Sequence, residues 1–416
     1  MESTELIRPF RIDIPQSDLD DLYDRLDRTR WSDHLPGVDG WDRGVPTSYL
    51  EELVAYWRNG FDWRACESRL NKIPQFVTDV DGQPIHFVHV RSAEPDAVPL
   101  VLTHGWPSSY VEFLDVLGPL TDPRAHGGDP ATAFHVVVPS LPGFGFSTPL
   151  RHAGWGNLFR VAAAWAEVMS RLGYERFAAH GGDVGAGVTG MLSVVAPHRL
   201  VGAHTNGPTP YPFGPPLDTD GLADVDRARA ERFNEFQRDG LGYLHLQSTR
   251  PQTLAHLLTD SPAGQLAWIV EKFREWTDPA AALPEEAVDR DRLLANASIY
   301  WFTRSGASSA HITYEGMQAF RQFVEQHGGE GGDPTAGGGV PTGVSVFAAD
   351  VSIRSVVDPS GAVAHWSEHD RGGHFPAMET PDLLVDDLRG FFGTLRPDQL
   401  RGPPAPGRVD PDTNAT

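Results

Sequence analysis

Asp183 is the one acidic side chain in 176–190 (RFAAHGGDVGAGVTG), and glycines surround it. An apolar, turn-poor run (Phe177, Ala178, Ala179) leads into Gly181-Gly182-Asp183-Val184-Gly185, and small residues then continue at helical spacing toward Met191 and Leu192. A lone functional residue between glycines at a strand-to-helix corner is the nucleophile-elbow pattern, whose usual form is G-x-S-x-G; here an aspartate takes the serine position. The competing reading is a helix N-cap, a role that Asp fills well. As a nucleophile, a carboxylate with a reference pKa of about 3.9 is already ionised at neutral pH and forms a covalent ester. Hydrolysing that ester requires an acid and a histidine later in the chain, in that order.

Asp350, expected to end a strand over 344–349, and His374 in Arg371-Gly372-Gly373-His374-Phe375 meet that requirement. Each has a plain alternative, a solvated loop aspartate and one surface histidine among 17. His104-Gly105-Trp106-Pro107 follows an apolar strand and suits an oxyanion loop, with the backbone N–H groups of Trp106 and Val184 as donors. The alternative there is a simple Trp-Pro turn.

Three other patterns compete for the chemistry. Gly185-x-Gly187-x-x-Gly190 matches the dinucleotide fingerprint, but the next strand candidate ends in Asn206-Gly207 where a ribose-binding acid is expected. Those glycines suit close helix–sheet packing instead. His365, His369 and His374 suggest a metal, yet the strand pattern and intervening glycines disfavour one helical face, and no H-E-x-x-H is present. The glycine-rich stretch 328–339 lacks G-K-[ST], which argues against a phosphate loop. No cofactor and no metal are expected.

The surrounding pattern is that of a scaffold able to hold such a site. Strands are expected over 76–80 and 85–90 around an Asp81-Gly82 turn, then over 98–103, 134–138 and 177–182. Helices are expected between them over 110–120 and 157–172, an alternation that implies a mostly parallel sheet covered on both faces. Residues 208–339 break the alternation with helical segments over 227–236, 266–276 and 290–302. Strands over 343–348 and 363–366 and a helix over 381–392 resume it. The expected division is 1–75 as an N-terminal segment strapped to the body, 76–207 and 340–400 as two parts of one α/β core, 208–339 as a helical cap, and 401–416 as a disordered tail. Within the first segment, a short capped helix over 17–26 and a second with aromatic teeth at Tyr49, Leu53, Tyr56 and Trp57 are expected.

Composition bounds the partners. With 34 Lys and Arg against 56 Asp and Glu the formal charge is −22, which disfavours nucleic acid and anionic membrane surfaces. The single cysteine, Cys66, excludes an internal disulfide and suits a cytoplasmic location. No signal peptide and no membrane span are visible. Eleven Trp and 21 Phe supply enough aromatic surface for a large core and an apolar pocket.

Taken together, these residues resemble the microsomal-type epoxide hydrolases, a branch of the α/β-hydrolase family, over nearly the whole chain. RPFRIDIP…TRW…GWDRGVPTSYLEELVAYWRNGFDWRACESRLNKIPQF is similar to that branch's N-terminal segment. HGWP, PSLPGFGFS and HGGDVGAG resemble its oxyanion loop, second glycine-rich loop and elbow. GYLHLQSTRPQTLAHLLTDSPAG, VPTGVSVFAAD and RGGHFPAMETP resemble its cap, acid strand and histidine loop. The resemblance implies Asp183 as nucleophile, His374 as general base and Asp350 as the acid that orients it, where many relatives carry Glu. It also implies Tyr243 and Tyr314 as the two cap tyrosines that hold the epoxide oxygen, with Tyr300 a nearby competitor for the second role. Val184 stands where relatives often carry Trp, and the membrane anchor of some relatives is not seen. The implied fold is the α/β-hydrolase fold with a cap inserted late, and the implied substrate is a small apolar epoxide, met either in detoxification or in tailoring of a polyketide-like product. A homodimer is left open. A haloalkane dehalogenase and a ligand receptor on a hydrolase fold are the alternative functions.

Overall fold

Runs such as FHVVVP (134–139) and FAAHGG (177–182) have no polar face, and both are buried along their whole length. That is the signature of parallel strands covered by helices on both sides. The computed structural model describes residues 7–33, 36, 37, 40–207, 215–327 and 339–395; the tail 401–416 and nearly all of the glycine-rich 328–339 stretch lie outside them. The strands are β1 (Ile7–Pro9), β2 (Gln75–Val80), β3 (Gln83–Val90), β4 (Val98–Thr103), β5 (Phe134–Pro139), β6 (Phe177–Gly182), β7 (Leu200–Asn206), β8 (Thr342–Val346) and β9 (His365–Glu368). They form one sheet in the order β1-β2-β3-β5-β4-β6-β7-β8-β9. The first three strands join antiparallel, and every pair from β5 to β9 is parallel. The β2–β3 turn uses positive φ at both Asp81 (50°) and Gly82 (77°), as a two-residue hairpin of this twist requires.

The chain passes from β4 to β5 on one side and then back across β4 to β6 on the other. The strand order therefore reverses where β4 meets β6, and the crevice beyond their carboxyl ends is where such sheets bind ligands. Thr103 is in register with Gly181. His104-Gly105-Trp106 and Gly182-Asp183 consequently emerge side by side.

In the N-terminal segment lie helices α1 (Gln16–Asp27), α2 (Thr47–Asn59) and α3 (Trp63–Leu70). The core carries α4 (Leu114–Thr121), α5 (Leu158–Arg171) and α6 (Val184–Val195). Between β7 and β8 come α7 (Asp224–Glu235), α8 (Gly242–Thr249), α9 (Pro251–Asp260), α10 (Pro262–Trp276), α11 (Pro284–Ala287), α12 (Arg290–Thr303) and α13 (Ser305–His327). The last three helices are α14 (Arg354–Val357), α15 (Pro376–Glu379) and α16 (Pro381–Gly393). Among the described residues no helix is long and apolar enough to cross a membrane.

The N-terminal segment fastens mainly to the inserted helices. Buried Trp57 donates its indole N–H to Ser298 Oγ at 2.9 Å. Tyr49 donates to Glu285 (2.7 Å), Tyr56 to Asp291 (2.8 Å) and Arg25 to Asp260.

Several elements differ from the sequence expectation. α1 follows Pro15, and no side chain caps it. The helix expected over 110–120 is split into a 3-10 turn, Tyr110–Phe113, and α4. β8 ends at Val346, so Asp350 sits in the following loop rather than at a strand end. The 23-residue α13 lies within the stretch expected to be helical but is not one of the segments singled out there; SGASSAHITYEG is rich in Ser, Gly and Thr, which favour turns over helix interiors until tertiary packing decides. It packs along α8 and α9.

Trp57 is 1% exposed and ties the N-terminal segment to α12. Trp57→Ala is expected to cost about 3–5 kcal/mol of stability, read from the midpoint and slope of a urea unfolding curve.

Candidate active site

At the β6–α6 corner Asp183 has φ +53° and ψ −126°, a strained conformation for a residue with a side chain. Neighbouring glycines make room for it. A Cβ on Gly185 would run into the Thr103 carbonyl, and one on Gly105 into the Asp183 carboxylate itself. Asp183 makes no N-cap hydrogen bond to α6. Its Oδ1 instead accepts the Trp106 N–H at 3.0 Å. Of the two backbone donors expected for an oxyanion loop, Trp106 bonds the carboxylate, and the Val184 amide acts on it by lowering its pKa.

His374 lies in the loop between β9 and α15, with Nε2 3.4 Å from Asp183 Oδ2. The contact is an ion pair without hydrogen-bond alignment, and Nε2 is buried with no hydrogen-bond partner. Burial pushes the imidazole down, but Asp183 and then Glu112 and Asp350 more than offset it, so its pKa is raised. Burial pushes Asp183 up, while His374 and the Trp106 and Val184 amides outweigh that and hold it below its ordinary value. Each partner thus favours the charged form of the other.

The helices inserted between β7 and β8 hold the histidine loop. The His374 N–H donates to the carbonyl of Trp276, the last residue of α10, at 2.8 Å, and the two rings lie 4.9 Å apart. Asp278 Oδ2 accepts the Gly372 N–H, and Glu379 accepts the N–H groups of both Asp278 and Phe375. Tyr243, on α8, stacks on Trp106 at 5.0 Å with the rings 8° from parallel. Burial, and secondarily the Asp183 charge, hold its phenol well above its ordinary pKa. The buried ammonium of Lys272 sits 4.9 Å from the same ring centroid, ion-paired to Glu271 and Glu275 at 2.7 Å each.

Other candidates are less closely engaged. Asp350 Oδ1 accepts the Ser352 N–H (2.7 Å) and hydroxyl (2.6 Å). Asp350 acts on His374 through its charge, and no hydrogen bond joins the two among the described residues. Tyr314, on α13, is 37% exposed and its hydroxyl has no hydrogen-bond partner among the described residues. One turn on, Met317 packs against Leu241 and Leu244 in the cluster that includes Tyr243. The Tyr300 hydroxyl is committed to the Ser108 carbonyl at 2.8 Å, so that side chain braces the loop after β4.

The three histidines of the metal pattern turn to different partners: His365 to Asp387 (2.8 Å), His369 to Ser367 (3.4 Å) and His374 to Asp183. His204, Asp387 and His365 do cluster, with His204 Nε2 2.8 Å from Asp387 Oδ2 and His365 Nε2 2.8 Å from Asp387 Oδ1. These hydrogen bonds, extended by His180 to His204 at 2.9 Å, satisfy the carboxylate directly. In the dinucleotide-like triplet, Gly185 fits under Thr103 and Gly187 against Leu158, as close packing of α6 requires.

A narrow chamber adjoins the nucleophile, lined by Gly105, Trp106, Gly182, Asp183, His374 and Phe375, with Glu112 as its remaining wall. Sequence reasoning missed Glu112, Trp276 and Glu379. The only signal for Glu112 is an acid inside the apolar run YVEF just after HGWP. Which way it faces is set by the 3-10 turn.

Residues 7–113 match the model of the epoxide hydrolase N terminus, and residues 98–282 that of the alpha/beta hydrolase fold. A Stigmatella aurantiaca protein whose name places it among the epoxide hydrolases is 46% identical over 94% of this chain and 86% of its own length. Epoxide hydrolase 1 of Sus scrofa is 32% identical over 94% of this chain and 89% of its own. The solved structure of Aspergillus niger epoxide hydrolase superimposes with a TM-score of 0.79 at 31% identity, covering 94% of this chain and 96% of that one.

The electrostatics of the Asp183–His374 pair are directly testable. Asp183→Asn removes the charge that most raises His374 and leaves burial dominant. The imidazole pKa should then fall relative to wild type, read from the pH titration of its Cε1–H signal by NMR.

Proposed function

The chain belongs to the epoxide hydrolases of the α/β-hydrolase fold, and from that premise we propose that it makes a vicinal diol through a covalent ester on Asp183. The observation that carries the mechanism is the Asp183 carboxylate, held by the Trp106 N–H with His374 Nε2 3.4 Å away. In the first step one carboxylate oxygen bonds to an epoxide carbon and the carbon–oxygen bond breaks. The departing oxygen takes a proton from the cap, with Tyr243 as donor and Tyr314 as its proposed partner. A phenol suits this role because it is neutral at rest yet far more acidic than the alcohol being formed.

Esterification removes the negative charge of Asp183. His374 thereby loses its ion-pair partner, its pKa falls, and its proton is free to restore the phenol. The neutral imidazole then takes a proton from water while the water oxygen bonds to the Asp183 carboxyl carbon. The Trp106 and Val184 amides stabilise the oxyanion, an effect of about 3–4 kcal/mol per donor in other enzymes. The ester carbon–oxygen bond breaks, the alkoxide is protonated by His374, and the new carboxylic acid returns its proton to the imidazole. Asp350 supports the imidazolium through its charge. No external redox partner or group carrier enters this balance.

Trp106 and Phe375 line the chamber and Tyr243 and Trp276 stack beside them, which supports an apolar epoxide as substrate. Cys66, buried and unpaired, supports a reducing compartment, read here as the cytoplasm.

A single turnover in ¹⁸O water tests the ester: label is expected in Asp183 before it appears in any diol, and label found directly in the diol would mean attack by water instead. His374→Gln should accumulate the protein-bound ester, seen as added mass on the intact chain. Tyr243→Phe should slow ring opening by roughly 10²- to 10⁴-fold, the range for general acid catalysis, measured as the rate of ester formation in rapid quench.

A further inference from the structure

Building on the ester mechanism, we propose that Glu112 is a second catalytic carboxylate that holds the hydrolytic water against His374. Glu112 belongs to the 3-10 turn Tyr110–Phe113, two turns of chain beyond the oxyanion loop, and is only 5% exposed. Its side chain closes the same chamber as Asp183 and His374, whereas neither Tyr243 nor Tyr314 lines that space. The chamber therefore lies on the side of the nucleophile served by the base, away from the proposed proton donors of ring opening.

The geometry of the second step calls for such a group. Water attacks with one O–H directed at His374 Nε2, the buried ring nitrogen that has no hydrogen-bond partner. The Trp106 N–H is a donor aimed at the carboxyl oxygen, and the Val184 N–H is likewise a donor, so neither can accept the second O–H. Glu112 is an acceptor in the wall of the chamber, and holding that second O–H turns the oxygen lone pair toward the Asp183 carbon. No proton passes to Glu112: His374 takes one, the other stays on the oxygen that bonds to Asp183, and the alkoxide leaves as above.

The groups facing Glu112 come from several elements: Asp183 at the elbow, His374 in the histidine loop, Glu379 at the end of α15, Ser108 on its own loop, and the Tyr300 hydroxyl from α12. Burial pushes its carboxyl up to about 7, against the pull of Ser108 and His374 and with Asp183 and Glu379 adding to the rise. Esterification removes both the Asp183 charge, which raises Glu112, and the His374 imidazolium, which lowers it. In either protonation state the carboxyl presents an acceptor oxygen to the second O–H.

Rapid quench with intact-mass detection separates the two steps. Glu112→Gln should form the Asp183 ester at the wild-type rate and hydrolyse it roughly 10²-fold more slowly, the scale for losing one preorganised hydrogen bond. Glu112→Asp, which keeps the carboxyl but shortens the reach, should hydrolyse the ester faster than Glu112→Gln and slower than wild type, and it serves as the test if Glu112→Gln does not fold. Hydrolysis at the wild-type rate in a folded Glu112 variant overturns the proposal. His374→Gln distinguishes the two failures: if it accumulates ester while the Glu112 variants do not, only the role of Glu112 falls. If no variant accumulates ester, the covalent reading falls with it.

Discussion

The ion pair between Asp183 and His374 is the constraint around which the rest of the molecule is arranged. Bringing a carboxylate out of a buried strand into a strained corner, and an imidazole from a loop 191 residues later to within 3.4 Å of it, requires both backbones to be held from several sides. The sheet supplies one side. Because the strand order reverses between β4 and β6, the Trp106 amide arrives beside the elbow without any side chain having to bridge the gap. Glycines at 105 and 185 then allow approaches that any Cβ would block.

The inserted helices supply the other side. The Trp276 carbonyl at the end of α10 and the Asp278 carboxylate just beyond it accept backbone N–H groups of the histidine loop, and Glu379 closes the circuit by accepting from Asp278 and Phe375. On α12, Asn296 and Tyr300 donate to the carbonyls of Pro107 and Ser108 and so brace the loop after β4. The N-terminal segment reaches the same helices through Trp57, Tyr56 and Tyr49. The helices above the sheet and the segment wrapped around them thus form one support for the base and the oxyanion loop.

Environment divides the carboxyl groups around His374 into distinct classes. Asp183 is held ionised by His374 and two amides, whereas burial pushes Glu112 and Glu379 up to about 7 each. Such a separation lets chemically similar side chains serve different tasks at one pH.

Much of this was legible in local sequence. The Gly-Gly-Asp-Val-Gly turn, the apolar strands around it, the Asp81-Gly82 hairpin and the order of acid and histidine each depend on residues adjacent in the chain, where backbone conformation and periodicity leave few choices. The glycines of α6 were likewise readable as packing residues. Several features were not readable this way. Asp350 bonds to Ser352 rather than to the imidazole, Tyr314 is more than a third exposed, and α13 forms from a sequence of weak helix formers. Glu112 gives no sign in its neighbours that it walls the nucleophile's chamber. Local sequence determined which residue types reach the carboxyl edge of the sheet. Only tertiary structure decided which of them meet, because the direction of a side chain on a turn or a distant helix is set by the elements packed against it.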